Sequence, residues 1–210
     1  MTGKFITFEG GEGSGKSTQL KLLGRRLVDA GLNIVETREP GGSPGAEAIR
    51  EIVVNGSADK WEPLAETLLF YAARIDHVEK RVKPALVKGS IVLCDRFSDS
   101  TFVYQGIGKG LPPDYIRSLH QLILGNFRPD LTLILDIDPT IGLKRALSRS
   151  AAETRFESMD MDFHHKVRAG FLSIARAEPE RCAVIDAAQT PDDVALAIAA
   201  EVNRKLGLKL

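Results

Sequence analysis

Much that would point to a membrane, metal or secreted protein is missing from this 210-residue chain. It has two cysteines, Cys94 and Cys182, each inside an apolar run. That pattern excludes a disulfide framework and fits small core filler in a reducing compartment. No CxxC or HExxH spacing occurs, which removes the common metal cages. His77, His120, His164 and His165 lack partners at metal or triad spacing, so they are expected on helix surfaces. No apolar run approaches the ~18 residues of a membrane span, and MTGKFITFEGG lacks the apolar core of a signal peptide. The expectation is a cytoplasmic protein. Excess charge is also absent: 28 Lys and Arg balance 28 Asp and Glu. A general nucleic-acid or membrane binder would carry a basic surplus. A local basic pocket for a small anion remains open.

What is there is a regular alternation. Apolar runs at 5–9, 33–38, 91–95, 131–137 and 182–187 read as strands, with helical patterns between them. Strands alternating with helices predict an α/β fold, a parallel five-stranded sheet flanked by helices in three layers. No repeat or linker divides residues 1–210, so one domain is expected. Residues 148–158, SRSAAETRFES, are polar and interrupt two helices, at about 139–148 and 160–178. They read as a surface excursion or a lid.

FEGGEGSGKST contains the firmest motif. Gly10, Gly11, Glu12, Gly13, Ser14, Gly15, Lys16 and Ser17 satisfy G-x-x-x-x-G-K-[ST], with a strand before and an amphipathic helix after, starting near Thr18. Backbone N–H groups and the helix N-terminus favour phosphate oxygens. Lys16 suits the β- and γ-phosphates of a nucleoside triphosphate, and the Ser17 hydroxyl suits Mg²⁺. The loop's only charge besides Lys16 is the acidic Glu12. Phosphoryl transfer needs further cations, and Arg149 and Arg155 of the 148–158 segment are candidates, which favours the lid reading.

Ligands of such sheets lie beyond the carboxyl ends of the strands. Arg38 in TREPGG and Asp95-Arg96 after IVLCD end there, with Glu9 beside them. Asp95 is preferred over Asp136 as the metal-side acid. Residues 64–86 read as one long helix, on which Phe70 and Arg74 share a face. That pair suits a base, or is a core Phe beside a surface Arg. Ser100, Thr101, Tyr104 and Gln105 offer polar groups nearby, or simply cap a helix. Trp61 and Phe127 read as core or interface filler.

Together FEGGEGSGKST, TREPGG, LLFYAAR, CDRFSDSTFVYQG, RPDLTLILD and TRFE resemble the bacterial thymidylate kinases along nearly the whole chain. The resemblance implies a P-loop NTPase fold and a homodimer. It implies transfer of the γ-phosphoryl of ATP to dTMP with Mg²⁺, giving dTDP and ADP in dTTP synthesis, with no nucleic-acid or membrane partner. Phe70 would stack on thymine and Arg74 would bond its carbonyl edge, with Thr101 and Gln105 beside the base and Ser100 among the dTMP-binding residues. Tyr104 would pack under the sugar. Arg38 and Arg96 would hold the acceptor phosphate, Glu9 would lie near the sugar hydroxyl, and Asp95 near the metal. Glu12 marks the lid-arginine type. Thr154 departs from the Asp that precedes the lid arginine in many relatives. A kinase for another nucleoside monophosphate and a P-loop switch or ATPase are the alternatives.

Overall fold

The computed structural model describes residues 3–148 and 155–210. Five strands form one parallel sheet: β1 Lys4–Glu9, β2 Ile34–Arg38, β3 Ile91–Asp95, β4 Leu131–Asp136 and β5 Cys182–Asp186. Their order is β2-β3-β1-β4-β5. Each matches its expected span to within one residue; β3 and β4, the most continuously apolar, are buried along nearly their whole length.

The coverage explains the continuous apolar runs. Ile6, Phe8, Leu93 and Leu133 face α1 (Lys16–Asp29) and α9 (Pro191–Leu206), meeting Leu20, Leu27, Ile198 and Val202. The alternate residues Phe5, Val92 and Cys94 face the opposite layer, where Tyr71, Val78, Val82 and Ile116 pack. That layer includes α2 (Pro44–Val54), α3 (Pro63–His77), α4 (Lys83–Val87), α5 (Ser98–Thr101) and α6 (Pro113–Leu124). Next come α7 (Pro139–Leu147) and α8 (Met161–Ala177), between which the 148–158 segment falls in the chain.

The long helix expected over 64–86 is interrupted. A π-helical turn, Val78–Val82, joins α3 to α4. Pro84 lacks the N–H that an α-helix would send back to Lys80, and a widened turn just before it accommodates the loss. A second π-helical stretch, Phe102–Gly108, continues α5.

Strand register sets the site. Arg38 pairs with Asp95, Phe8 with Asp95, and Asp136 with Asp186. The chemistry-bearing ends of β1, β2 and β3 therefore share one edge. There the loop from Gly10 to Gly15 leaves β1 and enters α1 through Gly15 at φ 91°. Gly13 has φ 65°, and a Cβ on it would lie 1.9 Å from the carbonyl of Gly142, so this loop is packed directly on α7.

Leu93 is fully buried between the helical layers. Leu93→Ala should cost about 2–5 kcal/mol of unfolding free energy, read by urea denaturation, with the cavity adding to the lost transfer energy.

Candidate active site

Two cavities open at this edge. One has a volume of about 280 Å³ and is walled by Gly13, Gly15, Lys16, Ser17, Arg38 and Asp95. The other has a volume of about 130 Å³ and is walled by Phe70, Arg74, Ser100, Thr101, Tyr104 and Gln105, together with Phe97, Arg155 and Phe156. Glu12, Glu39, Arg50, Arg96 and Glu157 line both. The fold thus brings the phosphate loop and the expected base-site residues to adjoining spaces with Arg96 at their junction.

Arg96 is tightly specified. Its Nη1 donates to the Gly10 carbonyl at 3.0 Å and to Ser100 Oγ at 3.2 Å. Its Nη2 donates to Glu12 Oε1 at 2.9 Å. Its guanidinium lies 4.9 Å from the centroid of the Tyr104 ring. The backbone here has φ 69°, a left-handed conformation rare outside glycine. Such strain costs about 1–3 kcal/mol and persists where the surroundings over-determine it. Glu12 also accepts from the Tyr104 hydroxyl at 2.7 Å. Burial raises the Glu12 pKa, but Arg96, Lys16 and the Tyr104 hydroxyl outweigh it and hold the carboxyl at about 2. The acid of the phosphate loop is therefore the counter-ion of the junction arginine.

Lys16 is curled onto its own loop, donating to the carbonyls of Gly10 at 3.1 Å and Gly11 at 2.8 Å. Burial first, then the Arg96 charge, lower its pKa to about 8. Ser14 Oγ donates to the Gly11 carbonyl. Thr18 is exposed on the first turn of α1. Ser17 Oγ donates to Asp95 Oδ2 at 2.6 Å, whereas Asp136 is held bidentately by Arg168 at 2.7 and 2.9 Å. A hydroxyl and a carboxylate side by side fit Mg²⁺, which takes few protein oxygens and fills the rest with water and phosphate. Among the described residues no group of three or more His, Cys, Asp or Glu forms a metal cage.

The base-site residues lie as follows. Phe70 is buried and its ring sits 6.4 Å from that of Phe156. Arg74 is not a surface arginine. It is 2% exposed, its Nε donates to Glu39 Oε2 at 2.6 Å, and its Nη2 donates to the Phe97 carbonyl at 3.2 Å. Its Nη1 is buried without a partner. Thr101, Tyr104 and Gln105 are all buried in the same wall.

Several residues are placed differently from expectation. Arg155 does not line the phosphate-loop cavity. It is 2% exposed and donates to the carbonyls of Val53, Ser57 and Ala58 at 2.9, 2.9 and 3.1 Å, while pairing with Glu66 at 2.5 Å. The free carbonyls after α2 need donors, and this guanidinium supplies them. Arg149 lies outside the described residues. Glu9 lines neither cavity; it is fully buried and accepts from Phe97 N, Ser100 N and Ser100 Oγ at the start of α5. Burial, then the Asp99 charge, push its pKa well up. Arg38 is exposed and pairs with Glu47 at 3.0 Å. His77 is fully buried, with Nδ1 2.9 Å from Glu39 and Nε2 2.7 Å from Thr37 Oγ1. His164 is also buried. Both lie on helix faces turned to polar partners or the loop, where apolar periodicity is a poor guide. Trp61 is only half buried, its Nε1 donating to the Ile52 carbonyl at 3.3 Å.

Sequence reasoning missed Arg50, Glu66 and Glu39 as site residues. Glu39 stood inside TREPGG and was passed over for its neighbour; Arg50 and Glu66 carry no motif.

Sheet order, phosphate loop and adjoining cavity define the class: a P-loop NTPase fold of the nucleotide-kinase type. The thymidylate kinase family model matches residues 8–198. The chain is 55% identical over 206 residues to the thymidylate kinase of Caulobacter vibrioides, covering 98% of this chain and 99% of that one. It is 50% identical over 206 residues to that of a Bradyrhizobium species, covering 97% and 91%. The crystal structure of thymidylate kinase from Ehrlichia chaffeensis superimposes with a TM-score of 0.80 at 35% identity, covering 96% of this chain and all of that one. The chain belongs to the thymidylate kinase family.

With the Lys16 pKa at about 8, the cation is lost as pH rises past that value. A bound phosphate favours the charged form, so ATP affinity should fall by up to about tenfold per pH unit above 8. Titration calorimetry should show this slope, and Lys16→Met should lack it.

Proposed function

We propose that this chain is a thymidylate kinase that passes the γ-phosphoryl of ATP to dTMP, giving dTDP and ADP for dTTP synthesis. The observation that carries the reading is the meeting of two cavities at Arg96, one built on a phosphate loop and the other on aromatic walls with an unpartnered arginine donor. Family membership favours dTMP as the acceptor over other monophosphates.

ATP binds along Gly10 to Thr18 with Lys16 at its outer phosphates. Ser17 and Asp95 would hold Mg²⁺, which would supply charge neutralisation on the donor phosphates when bound. The acceptor base lies against Phe70, with Arg74 Nη1 donating to a carbonyl and Thr101 and Gln105 alongside. Tyr104 supports the sugar, with Ser100 and Glu9 beneath it. Arg96 faces the acceptor phosphate across the junction. Arg38 joins it by leaving Glu47, which costs little because an exposed ion pair is worth about 0–1 kcal/mol. The acceptor phosphate is itself a nucleophile, so no general base is needed. Positioning and charge neutralisation do the work.

Arg155 acts in this reading chiefly as an anchor, and Arg149 is the arginine left for the transferred group. Exposed Leu64 and Leu68 on α3, with Tyr115 and Leu122 on α6, support a homodimer through that face. Among the described residues no helix is long and apolar enough to cross a membrane, and Cys94 and Cys182 are free. These observations support a cytoplasmic protein.

ADP release from Mg-ATP, measured against a panel of nucleoside monophosphates with a no-acceptor control, tests the reading. dTMP should give the highest kcat/KM and the control little turnover; acceptor-independent hydrolysis would refute it. Lys16→Ala should lower kcat by at least about 10²-fold. Arg149→Ala should lower kcat by about 10²–10³-fold with a small change in KM, whereas Arg155→Ala should lower thermal stability as well as rate. Near-full kcat in both variants would remove the lid arginines from the mechanism.

A further inference from the structure

Glu66 lines neither cavity, yet it is fully buried one residue behind the acceptor wall. Its Oε1 accepts from Gln105 Nε2 at 2.7 Å. Its Oε2 accepts from Lys109 Nζ at 2.9 Å and pairs with Arg155 Nη2 at 2.5 Å. A carboxylate between two cations offers acceptors only. Gln105 must therefore turn its NH₂ toward Glu66, which leaves its carbonyl oxygen for the cavity. Arg74, with Nε on Glu39 and Nη2 on the Phe97 carbonyl, has Nη1 alone unpartnered. Arg74 and Gln105 both line the cavity, so a ring edge set against this wall would meet one donor and one acceptor.

We propose that Glu66 is a positioning residue that sets base specificity by dictating which end of the Gln105 amide faces the acceptor. A ring edge with a carbonyl beside an N–H matches the donor of Arg74 and the acceptor of Gln105. A ring edge with an amino group beside a bare nitrogen meets a donor with a donor and an acceptor with an acceptor. Glu66 thereby selects 4-oxo over 4-amino pyrimidines without touching either. The inference rests on the thymidylate kinase reading above.

The test compares kcat/KM for dTMP with that for 5-methyl-dCMP, which differs only at this edge. The wild type should prefer dTMP by at least about 10³-fold, since unpaired buried polar groups reject strongly. Glu66→Gln can offer Gln105 either a donor or an acceptor, so the amide is free to turn. The preference should fall about tenfold or more, mainly through KM for dTMP with kcat nearly kept. Lys109→Met removes a partner of the other Glu66 oxygen and should leave the preference intact. An unchanged preference in Glu66→Gln, or an equal fall in Lys109→Met, would overturn the proposal in favour of a merely structural ion cluster. Should Glu66→Gln fail to fold by circular dichroism, wild-type inhibition decides. 5-methyl-dCMP competing with dTMP within about tenfold overturns the proposal, and competition weaker by more than about 100-fold supports it. A wild type inactive on dTMP would instead sink the functional reading itself.

Discussion

The site depends on one guanidinium. Arg96 sits where β3 ends, in a left-handed backbone conformation, between a phosphate loop and a base-sized cavity. Its three hydrogen-bond partners come from β1's loop and from α5. Two of these partners are fixed in turn, Glu12 by Tyr104 and Ser100 by Glu9, and Gly10 directly follows β1. The cation is therefore already in place and partly shielded from water before an anion arrives, which favours electrostatic stabilisation. Glu12 makes that tolerable, since a partly buried cation without a counter-ion would be costly.

The same logic repeats around the cavity. Glu39 fixes Arg74, Glu66 fixes Gln105 and Arg155, and Asp99 pairs with Arg181 beneath α5 at 2.7 Å. These acidic side chains orient cations and amides. A chain with zero net charge can thus gather arginines at one sheet edge, because carboxylates such as Glu12, Glu39 and Glu66 pair with them. The balanced composition and the basic pocket are two views of one arrangement.

The sheet was legible because its central strands are covered on both faces, and runs such as IVLCD and LTLILD have no other use. The phosphate loop was legible because glycine, lysine and a hydroxyl at fixed spacing have few alternative reasons to occur together. Phe70 and Arg74 were found as a helical pair, but the burial of Arg74 was not, since an arginine on a helix is ordinarily a surface residue. Arg155 was expected at the transferred group because charge balance demanded a cation; sequence could not show that carbonyls after α2 would claim it. His77 and Glu66 escaped for a related reason. Their partners, Glu39 and Gln105, lie 38 and 39 residues away, and no local pattern encodes a polar contact across elements.

Two anion sites joined at one arginine should bind a single molecule that fills both. Titration calorimetry with adenosine and thymidine linked through five phosphates measures this directly. The account predicts an affinity at least about 100-fold tighter than that of ATP or dTMP alone, with one molecule displacing both. A linked compound that binds no more tightly than the better single nucleotide, or that leaves either one bound, would contradict it.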